Sequence, residues 1–178
     1  MTNIGHADVP MSAKRLDTST LPTDKAEQER RAKQPLRSLL GACGYIMLGS
    51  RPDIAASYTQ LARFNNAHGE EHWMALQQLL AYLRKTKDSH VLKVESHGSQ
   101  VLQTFVDADW NGTELSRSTT GFIVFSGRTP ISWCSKTQKC VSRSTMESEL
   151  IALSSAAQET VYLANLVCGM HMKDGDQT

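Results

Sequence analysis

From residue 36 to residue 47, apolar side chains return every three or four positions: Leu36, Leu39, Leu40, Cys43, Ile46 and Met47. That is the period of a helix with one buried stripe. Gly41, Ala42 and Gly44 lie between them, and a glycine there lets a neighbouring helix come close. Arg51-Pro52-Asp53 interrupts the pattern, and proline suits the first turn of the helix that follows. That second helix carries Ile54, Ala55, Tyr58, Leu61 and Ala62, reaching towards Phe64. Asn65-Asn66-Ala67-His68-Gly69 reads as a turn. A third helix starts near Glu70, with Trp73, Leu76, Leu79, Leu80 and Leu83 on one side, and ends around residues 85–88. Helices with short links predict a small helical subdomain over residues 35–88.

The period then changes to two. Residues 101–107 alternate apolar and polar and end on acids, Asp107 and then Asp109. Residues 120–126 are rich in β-branched and aromatic types between Gly121 and Gly127. Residues 130–135 and 139–142 are expected to pair across Lys136, Thr137 and Gln138. With residues 91–95 counted, about five short strands are expected in a mixed or antiparallel sheet. From Ser144 the three-to-four step returns in Met146, Leu150, Leu153, Ala157, Val161, Ala164 and Val167. It predicts one long helix to about Cys168, that stripe buried on a sheet face, with Ser144 or Thr145 as N-cap. The fold class is α+β. Residues 1–34 are polar and read as a flexible linker; residues 89–178 form the sheet-and-helix region.

Composition narrows the partners. The formal net charge is +1 and the hydrophobic fraction 40%, so nucleic-acid affinity must come from local patches rather than the whole chain. No apolar run is long enough for a membrane span. Cys43, Cys134, Cys140 and Cys168 form no CxxC pair, which points to reduced thiols in an intracellular protein, cytoplasm and nucleus not being distinguished. Arg84, Lys85 and Lys87 make one basic cluster, equally suited to phosphate and to the dipole of a helix C-terminus. Arg117 stands in a turn-rich segment as a further candidate phosphate contact.

Two groups have the residue types for metal chemistry. Asp107 ends a strand, and Glu147 and Glu149 lie in the first turns of a helix. Carboxylates gathered at element ends suit magnesium, which takes hard oxygen ligands, but acids at such places also simply meet water or favour the helix dipole. His68-Gly69-Glu70-Glu71-His72 fits a zinc-peptidase pattern, H-x-x-E-H. The turn before Gly69 puts His68 outside the helix, and no third ligand is evident; short motifs match by chance.

Four ordered words carry a resemblance: Asp107-Ala108-Asp109-Trp110, Arg117-Ser118-Thr119-Thr120-Gly121-Phe122, Ile131-Ser132-Trp133-Cys134-Ser135-Lys136, and Ser144 through Glu149 into Leu150-Ile151-Ala152-Leu153. Upstream, Ser50-Arg51-Pro52-Asp53-Ile54-Ala55, His72-Trp73 and Leu80-Ala81-Tyr82-Leu83-Arg84-Lys85-Thr86 extend it. The chain resembles copia-type retrotransposon polyproteins, over the end of the reverse transcriptase and the first part of the ribonuclease H. The resemblance implies a thumb-like connecting subdomain that helps hold a template–primer duplex, then a partial ribonuclease H-like sheet with a covering helix. It implies magnesium (or manganese) held by Asp107 and Glu149, with Asp109 as a neighbour, and hydrolysis of RNA in RNA–DNA hybrids. It implies the remainder of the polyprotein as partner. In that family a third carboxylate follows on a later strand; Asp174 and Asp176 have no strand before them. The isolated chain is therefore expected to have little or no nuclease activity. The alternative is a non-catalytic nucleic-acid-binding or scaffold remnant.

Overall fold

A computed structural model describes residues 7–12, 16–94, 101–110 and 117–174, with side chains as far as 170. The chain falls into two compact units, Met1–Leu92 and Lys93–Thr178.

The first unit is helical. Its elements are α1 (Lys25–Ala32), α2 (Leu36–Gly49), α3 (Ala55–Ala62) and α4 (Glu70–Thr86), with a 3-10 turn at Pro52–Ile54. The apolar stripes converge as their spacing predicts. Leu36, Leu40 and Cys43 of α2, Ile54, Leu61 and Phe64, and Leu76 and Leu79 of α4 share one buried cluster. Each fully buried leucine contributes roughly 1.5–3 kcal/mol of transfer free energy. Gly44 allows the close helix approach: a Cβ there would lie 2.8 Å from the Tyr58 hydroxyl. The polar stretch read as a linker also packs. Leu16 is buried in the same cluster and Leu21 lies against it. Arg31 of α1 is buried, bonds Glu27 at 2.7 Å and also pairs with Glu70 of α4.

Arg51 ties the 3-10 turn at Pro52–Ile54 to the end of α4. Its guanidinium grips Asp53 with two bonds of 2.9 and 2.7 Å and donates to Thr86 Oγ1 at 2.7 Å. The Tyr82 hydroxyl donates to the same carboxylate at 2.8 Å. Burial would raise the Asp53 carboxyl, but the bonds from Arg51 and Tyr82 outweigh it and hold the group below its usual range.

The second unit is a three-stranded antiparallel sheet in the order β1 (Leu102–Asp109), β2 (Thr119–Ser126), β3 (Thr129–Thr137), followed by α5 (Thr145–Asp174). The fold is therefore α+β. Three strands stand among the described residues where about five were expected, because residues 91–94 are not strand; Glu95 lies outside the described residues. Residues 139–142 do not form a strand either. β3 runs on through Thr137, and the Gln138 side chain turns inwards to bond Thr120 and Ser148.

α5 starts where expected. The Ser144 hydroxyl accepts from Glu147 N–H at 3.1 Å, as an N-cap does. Its buried face is not the expected one. Met146, Leu150, Leu153 and Val161 are exposed, whereas Ser148, Ala152 and Ala156 are buried. Small side chains let the helix lie close on the sheet, and polar pairs tie it there: Thr104 with Thr160 at 2.6 Å and Ser132 with Glu159 at 2.8 Å.

Candidate functional site

The alternation of β1 settles which side chains meet α5. Thr104 bonds Thr160 of the helix, so the even positions of β1 face α5 and the odd positions face away. Gln103, Phe105, Asp107 and Asp109 are the odd ones, and all four are exposed. Asp107 and Asp109 thus share one side of the strand, roughly 7 Å apart along it.

Glu149 approaches from the other element. It lies in the second turn of α5, and its Oε1 accepts from Ala108 N–H at 3.3 Å. β1 pairs only with β2 among the described residues, so this N–H belongs to the open edge of the sheet. Glu149 therefore reaches the backbone one residue from Asp107, while the Asp107 side chain is exposed on the face turned away from α5. Glu147 serves differently: its Oε2 accepts from Arg143 N–H at 2.6 Å, a capping contact at the helix start.

Behind the edge lies a buried polar layer that sequence reading did not single out. Ser118, Thr120, Gln138, Ser142 and Ser148 are all buried. Ser118 and Ser142 hydroxyls pair at 2.6 Å, and Gln138 Nε2 donates to Thr120 Oγ1 at 3.1 Å and to Ser148 C=O at 2.9 Å. Trp110 Nε1–H donates to Ser142 C=O at 3.3 Å, which ties this partly exposed tryptophan to the end of the sheet.

The basic candidates are placed on the surface. Arg84, Lys85 and Lys87 are exposed at the C-terminal end of α4. Lys85 pairs with Asp8, and Lys87 lies 3.8 Å from Asp88. Arg117 is exposed just before β2. The zinc-like pair is taken up by packing. His68 Nε2 bonds Gln34 Oε1 at 3.0 Å outside the helix. His72 is fully buried, lies tilted against the Phe64 ring and accepts the Gly69 N–H on Nδ1. Burial pushes both imidazoles down. Among the described residues no group of three His, Cys, Asp or Glu stands together as a metal site.

Comparison with known proteins places this arrangement. Over 179 residues, 98% of the chain, it is 35% identical to the retrovirus-related Pol polyprotein from transposon TNT 1-94 of Nicotiana tabacum. Over 132 residues, 74% of the chain, it is 34% identical to that from transposon RE2 of Arabidopsis thaliana. The chain belongs to the copia-type retrotransposon Pol polyproteins. It spans 13% and 9% of the length of those two relatives. A third relative, the secreted RxLR effector protein 161 of Plasmopara viticola, is 39% identical over 130 residues, 72% of the chain and 91% of its own length. No family model and no solved structure matches. No helix among the described residues is long and apolar enough to cross a membrane.

Proposed function

We propose that this chain joins the end of a transposon reverse transcriptase to the first part of its ribonuclease H, and that Asp107 and Glu149 bind magnesium for hydrolysis of RNA in RNA–DNA hybrids. The observation that carries this reading is the Glu149 carboxylate bonded to the backbone next to Asp107 at the open end of β1. Carboxylate oxygens are the donors magnesium prefers. The donor set in this chain is partial, so Asp107 and Glu149 would hold one side of the ion and the remaining ligands come from the rest of the polyprotein. Magnesium, when bound, supplies charge stabilisation at the phosphate and template-like orientation. Asp107 and Glu149 are both exposed, so solvent and a nucleic-acid backbone can reach their oxygens. Manganese would substitute for magnesium on the same oxygens. The template–primer duplex or hybrid would meet exposed cations, of which Arg84, Lys85, Lys87 and Arg117 are the candidates.

The test is a magnesium and manganese titration of the purified chain, with hybrid cleavage read in the same tube. The expected result is weak metal binding without cleavage, the binding lost in Asp107→Asn and in Glu149→Gln. Absence of any metal binding overturns the site assignment, and robust cleavage by the isolated chain overturns the incomplete ligand set. A second reading, a non-catalytic binding or scaffold module, is favoured by the Plasmopara viticola relative, almost all of which this stretch covers. It predicts hybrid affinity that survives without magnesium and falls with salt as phosphate contacts do.

A further inference from the structure

We infer that Gln138 is a positioning residue that fixes Glu149 against β1. The inference rests on the proposed metal role of Glu149. The contacts form a closed ring. Glu149 Oε1 accepts from Ala108 N–H at 3.3 Å. Ala108 is the cross-strand partner of Thr120. Thr120 Oγ1 accepts from Gln138 Nε2, and the same nitrogen donates to the carbonyl of Ser148, the residue before Glu149. One amide thus joins the strand that registers Ala108 to the helix turn that carries Glu149.

The amide orientation is set by chemistry. A carbonyl oxygen can only accept, so the nitrogen of Gln138 must face Ser148. That leaves Gln138 Oε1 buried without a hydrogen-bond partner among the described residues. An orphaned buried acceptor is destabilising. A leucine of similar size would avoid that cost and still fill the space. What it would lack is the pair of bonds from β2 to α5. Those two bonds tie β2 to the first turns of α5, which is what positioning of Glu149 requires. The backbone confirms that the turn is anchored on both sides: Gln138 N–H donates to Ser118 C=O at 2.8 Å. The fixed point lies one residue from the carboxylate, so a small loss of register in α5 moves Glu149 directly. Outer partners of metal ligands typically alter affinity by about 10–100-fold.

The experiment uses the full chain. Hydrogen exchange at the Ala108 amide and manganese affinity are measured in wild type, Gln138→Leu and Ser142→Ala. Positioning predicts that Gln138→Leu stays folded, exposes Ala108 to faster exchange and weakens manganese by about tenfold or more. Ser142→Ala removes a buried hydroxyl of the same layer and should lower melting temperature without singling out Ala108. Unchanged exchange at Ala108 in folded Gln138→Leu overturns the inference. Wild type that binds no manganese overturns the metal reading instead, and the Ala108 amide still decides the role of Gln138. Should Gln138→Leu not fold, Thr120→Val removes one arm of the ring at constant size and is read by the same amide and the same manganese titration.

Discussion

The two units differ in the side chains that fill their interiors. The first hides leucine, isoleucine, phenylalanine and tyrosine in one cluster. The second hides alanine, serine, threonine and glutamine, with Val124 the large exception, and leaves Phe105, Met146, Leu150 and Leu153 outside. A core of large apolar groups is held by transfer free energy and dispersion. A layer of small polar groups is held by satisfied hydrogen bonds, each worth about 1 kcal/mol net. The first unit should therefore respond most to lost volume, and the second to lost bonds. The proposed metal ligands sit in the second, where position depends on bonds.

The largest effect should come from volume. Leu79 is fully buried in α4, and Leu79→Ala should destabilise the first unit by about 4 kcal/mol in denaturant titration. A loss below about 1 kcal/mol would mean that this core collapses freely, and the contrast between the units would fail.

Next is the Arg51–Asp53 pair of the first unit. Asp53→Ala leaves the Arg51 guanidinium, 8% exposed, without its main partner, at a cost of about 3 kcal/mol. The same pair sets an acid limit. The folded Asp53 carboxyl titrates below its ordinary 3.8, so its contribution is full above that value and fades as pH falls through the lower, folded one. Acid titration of Asp53→Asn should show a shallower loss of stability in that window than wild type. Parallel curves would remove the pair from the acid response.

Gly69→Ala comes third. A Cβ at Gly69 would lie 2.0 Å from the backbone oxygen of Thr20, and backbone cannot swing aside as a side chain can. The expected cost is about 2 kcal/mol, with faster amide exchange in residues 18–21. That outcome would place the turn over Gly69 firmly within the first unit, where sequence reading saw only a linker.

How much of this was legible follows from the same contrast. The helices of the first unit were readable because long apolar stripes have one plausible destination. Leu16 and Leu21 were missed because two isolated apolar residues in polar sequence carry no period. In α5 the period was right and the face was wrong. Met146, Leu150, Leu153 and Val161 repeat like a buried stripe, but the contact with the sheet is made through Ser148, Ala152, Ala156 and Thr160. Periodicity marks a face; it does not say which surface lies behind it. Gln138 was invisible for a related reason. A glutamine between two lysines reads as a solvated turn, and only the bonds to Thr120 and Ser148 show that it points inwards. Asp107 and Glu149 were named through family words, and the bond from Ala108 to Glu149 gives their elements a shared edge.

The smallest expected effect is the sharpest check on that reversed face. Leu153 is 52% exposed on α5, so Leu153→Ala should change the stability of the isolated chain by no more than about 0.5 kcal/mol. Ala152→Leu, one residue away, should cost about 1–3 kcal/mol, because a larger side chain must be forced between helix and sheet. The two substitutions separate the possible orientations of one helix. If Leu153→Ala proved the costlier, the apolar stripe would be the packed face after all. Ser148 would then turn away from Gln138, the contact between Glu149 and Ala108 would be lost, and the proposed site would have to be rebuilt around a rotated α5. If Ala152→Leu proves the costlier, the exposed stripe of Leu150, Leu153 and Val161 is a solvent face of the isolated chain, and Glu149 stays at the edge of β1.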